Sequence, residues 1–215
     1  DMVKDAEGTP YLLLHGLEPD IRWEKFISAV IDVEKRLGIG LTVAAHGIPM
    51  AVPHTKPHTS TIHGTSQDLL PDSPSFFGTV TVPASAQGLL EYRLGQAGHA
   101  AVTAAVHVPY YLAQSALPSA AQHALTQIEA ITGLALGADA LAEEADTARA
   151  EIDRQMAESE EVQAIVQALE VQYEQMEEAR SEGLPLDGPL PTADELGAEF
   201  EKFLAQQRRD LPPND

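Results

Sequence analysis

Apolar positions along this chain switch between an unbroken or alternating period and a helical one, and the switches mark the elements. Tyr11-Leu12-Leu13-Leu14-His15 is a short apolar run between Pro10 and Gly16, the pattern of a buried strand. Asp20 is placed to cap a helix over 21–37, with Trp23, Phe26, Ile27, Val30, Ile31, Val33 and Leu37 at three- and four-residue spacing and Gly38 as the stop. A second strand is predicted over Gly40–His46, which makes strand, helix and strand a βαβ unit with parallel strands. Pro49, Pro53 and Pro57 turn 47–63 into an extended loop that ends in a short strand near Thr61-Ile62-His63. Gly78–Val82 reads as another strand. A helix follows from Ser85 to about Ala97, its apolar face made of Leu89, Leu90, Tyr92 and Leu94. Ala101–Val108 is the next strand, and Pro118 opens a helix that runs through Leu125, Ile128 and Ile131 to Gly133. Alternating strands and helices predict an α/β fold, with a mostly parallel sheet covered on both faces.

Beyond this core the pattern changes. Leu141, Ala145, Ala148, Ile152 and Met156 form one helical stripe, and Val162, Ile165, Val166, Leu169, Tyr173 and Met176 form another. Ser159, followed by Glu160 and Glu161, is a good N-cap with acidic first-turn residues, so two helices are expected to meet there as an antiparallel hairpin. Each stripe is apolar on one side and needs cover, which makes Ile152, Met156, Val162, Val166, Leu169 and Tyr173 the candidate oligomer or partner interface. Gly183–Pro191 reads as a Pro/Gly linker and Thr192 as the cap of a last helix. The expected organisation is an α/β core over 1–136, a helical hairpin over 137–182, and a linker with a short terminal helix over 183–215.

Charge narrows the partners. The 215 residues carry 13 basic and 33 acidic side chains, a net of −20, and 139–182 alone hold 14 acidic and 3 basic. Binding a nucleic-acid duplex needs a basic footprint. Basic residues cluster no further than pairs such as Arg208-Arg209, so neither nucleic acid nor an anionic membrane is an expected partner. No apolar run approaches the roughly 20 residues that span a bilayer. The chain has no cysteine, which excludes disulfides and thiolate metal sites and fits a cytoplasmic location. Asp1-Met2-Val3-Lys4 has no signal-peptide pattern.

Candidate chemistry is concentrated in histidines. His46, His54, His58 and His63 fall within one Pro-rich stretch. His54 and His58 have the spacing of a zinc-binding helix, but the prolines exclude that helix, so the loop reads first as structural or interfacial and second as a metal site made of His54, His58 and His63. His15, His46 and His107 sit at or near predicted strand C-terminal ends, where open parallel sheets bind ligands. With Arg93 for an anion they make a candidate ligand site, against the simpler reading that each caps its strand. No GxGxxG, GxxxxGK[ST] or GxSxG motif stands in the required context, no catalytic set emerges and no cofactor is expected.

Four strings carry a resemblance: HGIPMAVPHT over 46–55, GTVTVPAS over 78–85, LEYRLGQAG over 90–98 and HVPYYLAQ over 107–114. With EIDRQMAESEE over 151–161, the chain from about residue 9 to 178 resembles the actinobacterial branch of the proteasome assembly chaperone 2 family, whose members are largely without an assigned activity. The resemblance implies a three-layer α/β/α fold related to purine nucleoside phosphorylases. It also implies homo-oligomers, trimeric or other, and a role in holding proteasome subunits during assembly. Family chains carry further strands and helices ahead of the segment that starts here at Tyr11, so the sheet is expected to lack its first strands.

Two functions follow. The first is a non-catalytic, homo-oligomeric protein-binding or assembly-chaperone-like role. The alternative is a small-molecule site, nucleoside- or anion-like, in a crevice at the C-terminal edge of the sheet.

Overall fold

The most apolar strand lies at the centre of the sheet. Residues 1–70 and 83–181 are described by the computed structural model; the strand expected at Gly78–Val82, the linker and the last helix lie outside them. β5 (Ala101–Pro109) is buried at every position except Val108. β3 (Thr42–Met50) pairs with it in parallel, from Thr42 opposite Ala101 to Met50 opposite Pro109. β4 (Ser60–Gly64) pairs with its other side antiparallel, from Ser60 opposite Val106 to Gly64 opposite Val102. The order is β3-β5-β4, so β5 alone among these strands has neighbours on both sides.

Alternation along β5 assigns the two helical layers. Ala101 and Thr103 face α1 (Trp23–Leu37) and α2 (Ala86–Gln96), where Ile27, Leu90, Leu94 and Ala101 form a buried cluster flanked by Trp23, Phe26, Val30 and Ile31. Val102, Ala104 and Val106 face the opposite way, toward α3 (Pro118–Thr132), which packs on β3 and β5. The product is an α/β fold with a mixed sheet flanked by helices. Ser85 caps α2 by accepting from the Gly88 N–H at 3.0 Å, and Gly38 and Gly133 end α1 and α3 in left-handed conformation, as expected.

The N-terminal segment departs from expectation. The apolar run after Pro10 contributes only β2 (Pro10–Leu12), which pairs antiparallel with β1 (Met2–Lys4) in a separate ribbon. It forms no βαβ unit with β3, and Leu12, Leu13 and Leu14 are exposed. An apolar run signals burial but does not say against what. Asp20 is not the cap of α1: the helix starts two residues later than expected, after Arg22, which is left-handed at φ 62°. β3 continues to Met50 where a loop was expected. Pro49 is tolerated because β3 is an edge of the described sheet, where a missing N–H breaks no second ladder. Tyr92, Val33 and Leu37 point to solvent rather than into the core.

α4 (Ala142–Ala157) and α5 (Glu160–Ser181) meet at Glu158-Ser159, as the spacing predicted. Met176 of α5, with Tyr173, packs on Val52 and Met50, so the hairpin covers part of its apolar stripe with the end of β3 and the residues that follow it.

Candidate functional site

The Pro-rich connection from β3 to β4 is gripped from three sides, and His54 is the grip. The residue is 8 % exposed. Tyr111, in the 3-10 turn Tyr110–Leu112 that follows β5, accepts the His54 backbone N–H at 2.8 Å, and its oxygen lies 2.7 Å from Nδ1 of the same ring. Nε2 lies 3.0 Å from Oδ1 of Asp153 on α4. A carboxylate only accepts, so the neutral ring carries its proton on Nε2, and Nδ1 takes the Tyr111 hydroxyl proton. Arg149 completes the clasp: Nη1 donates to the His54 carbonyl at 2.6 Å and Nε donates to Asp153 at 3.0 Å. On the next two residues Thr55 donates to Glu170, and Lys56 pairs with Glu174 at 2.6 Å, both on α5. Burial holds the His54 ring below its usual pKa, opposed by the hydrogen bond to Asp153, and pushes the Tyr111 phenol up to about 12.

A second polar grouping runs across the α1–α2 face of the sheet. His107 is nearly fully buried, its Nδ1 2.8 Å from the Thr59 hydroxyl and its Nε2 2.9 Å from that of Thr61. Burial, reinforced by nearby His123 and His58, lowers its pKa to about 4. Further along the same face, Glu91 of α2 accepts from Thr103 and lies 2.8 Å from Nδ1 of His63. That hydrogen bond raises the His63 pKa against the effect of burial. His46 stands beside this pair, its Nδ1 3.1 Å from the Gln87 amide, and burial lowers its pKa.

The four candidate ligand residues engage four separate neighbourhoods. His15 is exposed and sits on Asp1 at 2.9 Å. His46 lies mid-strand, not at a strand end, because β3 runs four residues further. Arg93 pairs with Glu24 across α2 and α1, and His107 is enclosed by threonines. The three candidate metal ligands likewise turn to different partners: His54 to the clasp, His58 to Ser119 and the His107 carbonyl, and His63 to Glu91. Among the described residues no group of three or more His, Asp or Glu side chains is placed to hold a metal ion. Of the hairpin residues, Ile152, Val166 and Leu169 are buried, while Met156, Val162 and Tyr173 are half-buried. Sequence reasoning missed Tyr111, Arg149, Asp153 and Glu91. Tyr111 and Asp153 lie 57 and 99 residues from His54, so no local spacing signals the clasp.

A model of the PAC2 family matches residues 2–156, 155 of the 215. The chain belongs to the PAC2 family. Among solved structures, this PAC2 chain is similar to a protein of unknown function from Mycobacterium tuberculosis. The two share 45 % identity at a TM-score of 0.80, over 96 % of this chain and 66 % of that one. It is also similar to a protein of unknown function from Corynebacterium glutamicum, at 39 % identity and a TM-score of 0.75, over 80 % of this chain and 64 % of that one. A Mycobacterium tuberculosis proteasome-assembly chaperone homologue shares the fold at 24 % identity and a TM-score of 0.62, over 70 % of this chain and 64 % of that one. The PAC2 chain thus spans about two thirds of the length of these structures. None of the curated proteins matches it. Among the described residues no helix is long and apolar enough to cross a membrane.

Proposed function

We propose that this PAC2 protein is a non-catalytic, cytoplasmic protein-binding factor that self-associates and acts in an assembly-chaperone-like role on proteasome-related subunits. The family match over residues 2–156 carries the reading, and the partner class is the one printed for a relative of the same fold. Two surfaces support protein contact. Leu12, Leu13, Leu14 and Leu17 form an exposed apolar run, with Leu17 100 % exposed, of the kind that marks interaction sites. The α4–α5 hairpin presents half-buried Met156 and Val162, backed by Ile152, Val166, Leu169 and Tyr173.

Sedimentation velocity on the purified chain, together with native mass spectrometry in the presence of recombinant proteasome subunits, tests the proposal. The expected result is a concentration-dependent oligomer and a complex with at least one subunit. A strict monomer that binds no subunit would remove it.

A second reading, a small anionic or nucleoside-like ligand, is favoured only by His46 and His63 standing together beside Glu91. A thermal-shift screen of nucleosides, nucleotides and anions checks it, with no shift counting against it.

A further inference from the structure

A cavity of about 270 Å³ opens where α4 turns into α5. Met156, Ala157 and Val166 are its apolar lining, and His54 and Thr55 of the loop with Gln163 and Gln167 of α5 are its polar lining. The one carboxylate in its wall, Asp153, is already engaged by His54 and Arg149. Pockets for drug-sized ligands run from about 300 Å³ upward and bury most of the ligand's surface. This volume and lining suit the apolar side chain of a polypeptide instead.

Charge around the cleft decides which polypeptide. Glu158, Glu160 and Glu161 are exposed at the turn itself. Arg154 is held by Glu151 and Glu158, and Arg149 by Asp153 and the His54 carbonyl, so both cations of α4 are already committed. Glu160 and Glu161 take part in no ion pair formed among the described residues. Residues 139–182 hold 14 acidic and 3 basic side chains. A second copy would bring the same excess of carboxylates to the contact, and like charges across an interface oppose association. A segment rich in Lys or Arg is attracted by the same rim.

We infer that the α4–α5 cleft docks a basic segment of a partner protein, with an apolar side chain on Met156 and Val166 and cationic neighbours on Glu160 and Glu161. This rests on the protein-binding reading above and gives the partner its chemistry. The apolar lining supplies affinity by burying an apolar anchor, and the rim supplies selectivity and attraction at long range.

Fluorescence anisotropy on the full chain tests it with three labelled probes. These are a synthetic helical peptide with a leucine face and a lysine face, its glutamate counterpart, and oligolysine without leucine. Two variants report on the cleft. Ala157→Trp fills it from an exposed position, and the double change Glu160→Lys with Glu161→Lys reverses the rim on solvent-facing side chains. Circular dichroism confirms that both keep the fold.

The leucine–lysine peptide should bind the natural chain, more weakly as salt rises. It should lose about tenfold or more in affinity with either variant, and the other two probes should bind about tenfold or more weakly than it does. Equal binding by Ala157→Trp, oligolysine matching the leucine–lysine peptide, or no binding by that peptide overturns the inference. If the chain still assembles with itself or with proteasome subunits, only the cleft falls. If assembly is also absent, the protein-binding reading falls with it.

Discussion

His54 is anchored by groups on two separate elements, and each partner answers a different atom. Its backbone N–H and its Nδ1 both depend on one oxygen, that of Tyr111. Tyr111→Phe therefore leaves a backbone donor and a ring acceptor without partners in an interior position, which costs about 1–3 kcal/mol for a lost buried hydrogen-bonding group. Urea unfolding should show a midpoint shift of that size at unchanged slope; a variant as stable as the natural chain would show that Tyr111 is not holding the loop. His107 poses the converse case, a buried ring whose two nitrogens lie against the Thr59 and Thr61 hydroxyls. Its pKa in the folded chain is about 4, against about 6.5 when unfolded. The unfolded chain therefore binds the proton more readily, and the contribution of His107 is complete above about pH 6.5 and is lost as pH falls toward 4. The difference corresponds to about 3 kcal/mol. Burial lowers His46, His54, His58 and His123 in the same direction. His63, raised by Glu91, runs the other way: its contribution is present below about pH 6.5 and is lost as pH climbs through its raised value. Five groups against one predict net loss of stability on acidification from neutrality, well before the carboxylates titrate. Replacing His107 with Gln should flatten the stability–pH curve between pH about 6.5 and 4, and an unchanged curve would show that this ring is not the one titrating.

At the scale of elements, the close pairing of β4 with β5 leaves no space at Gly64. A Cβ there would meet the Ala101 carbonyl oxygen at 2.6 Å, with Val102 and Leu70 also in contact. Backbone cannot retreat as a flexible side chain can, so Gly64→Ala should cost about 1–3 kcal/mol through overpacking and strand displacement. Gly40→Ala, where nothing lies within 4 Å, is the control: equal losses at the two positions would show that the contact with Ala101 is not the cause. The same elements show what the sequence exposes to reading. α1, α2, α3 and β5 were legible because each is an apolar segment with a marked boundary: Ser85 opens α2, and Gly38 and Gly133 stop α1 and α3. The α4–α5 break was legible from Ser159 for the same reason, its hydroxyl accepting the Val162 N–H at 3.4 Å. The fate of Leu12–Leu14 was not, because a local pattern records that a run is apolar and not which surface it meets. The antiparallel placement of β4 was also hidden, since the connection that returns the chain is written in prolines rather than in a hairpin turn. Of the candidate sites, the sequence singled out His54 only as one possible metal ligand of a structural or interfacial loop, and no local pattern announced its partners. Tyr111 and Asp153 become neighbours only once β5 and α4 are in place.

For the whole molecule, the two layers of attachment differ in strength. β5 sits in a sheet with partners on both edges and helices on both faces, whereas among the described residues α5 meets the core through a small apolar contact (Val52 and Met50 with Met176 and Tyr173) and polar links that include those of Thr55 and Lys56. Free energies of local opening scale with such buried contact, so the hairpin should open at lower cost than the sheet. Hydrogen exchange should find the amides of β5 the most protected and those of α5 distinctly less so. The pH dependence of that gap follows from His54. Its ring is neutral in the closed clasp and faces Asp153 and Arg149 on α4, Tyr111 beside β5, and Glu170 on α5. Because its pKa is lowered when closed, an opened His54 takes up a proton more readily. Opening should therefore grow as pH falls below about 6.5 and be suppressed above it. Between pH about 7.5 and 5.5, protection in α5 should fall relative to β5 after correction for intrinsic exchange rates, while β5 tracks global stability and serves as the internal reference. His54→Gln retains a donor and an acceptor at the ring's position but does not titrate, so the ratio in that variant should become insensitive to pH over the same interval. A ratio that moves equally in both proteins would assign the acid sensitivity of the hairpin to its carboxylates, and one that moves in neither would show that the hairpin and sheet open as a single unit.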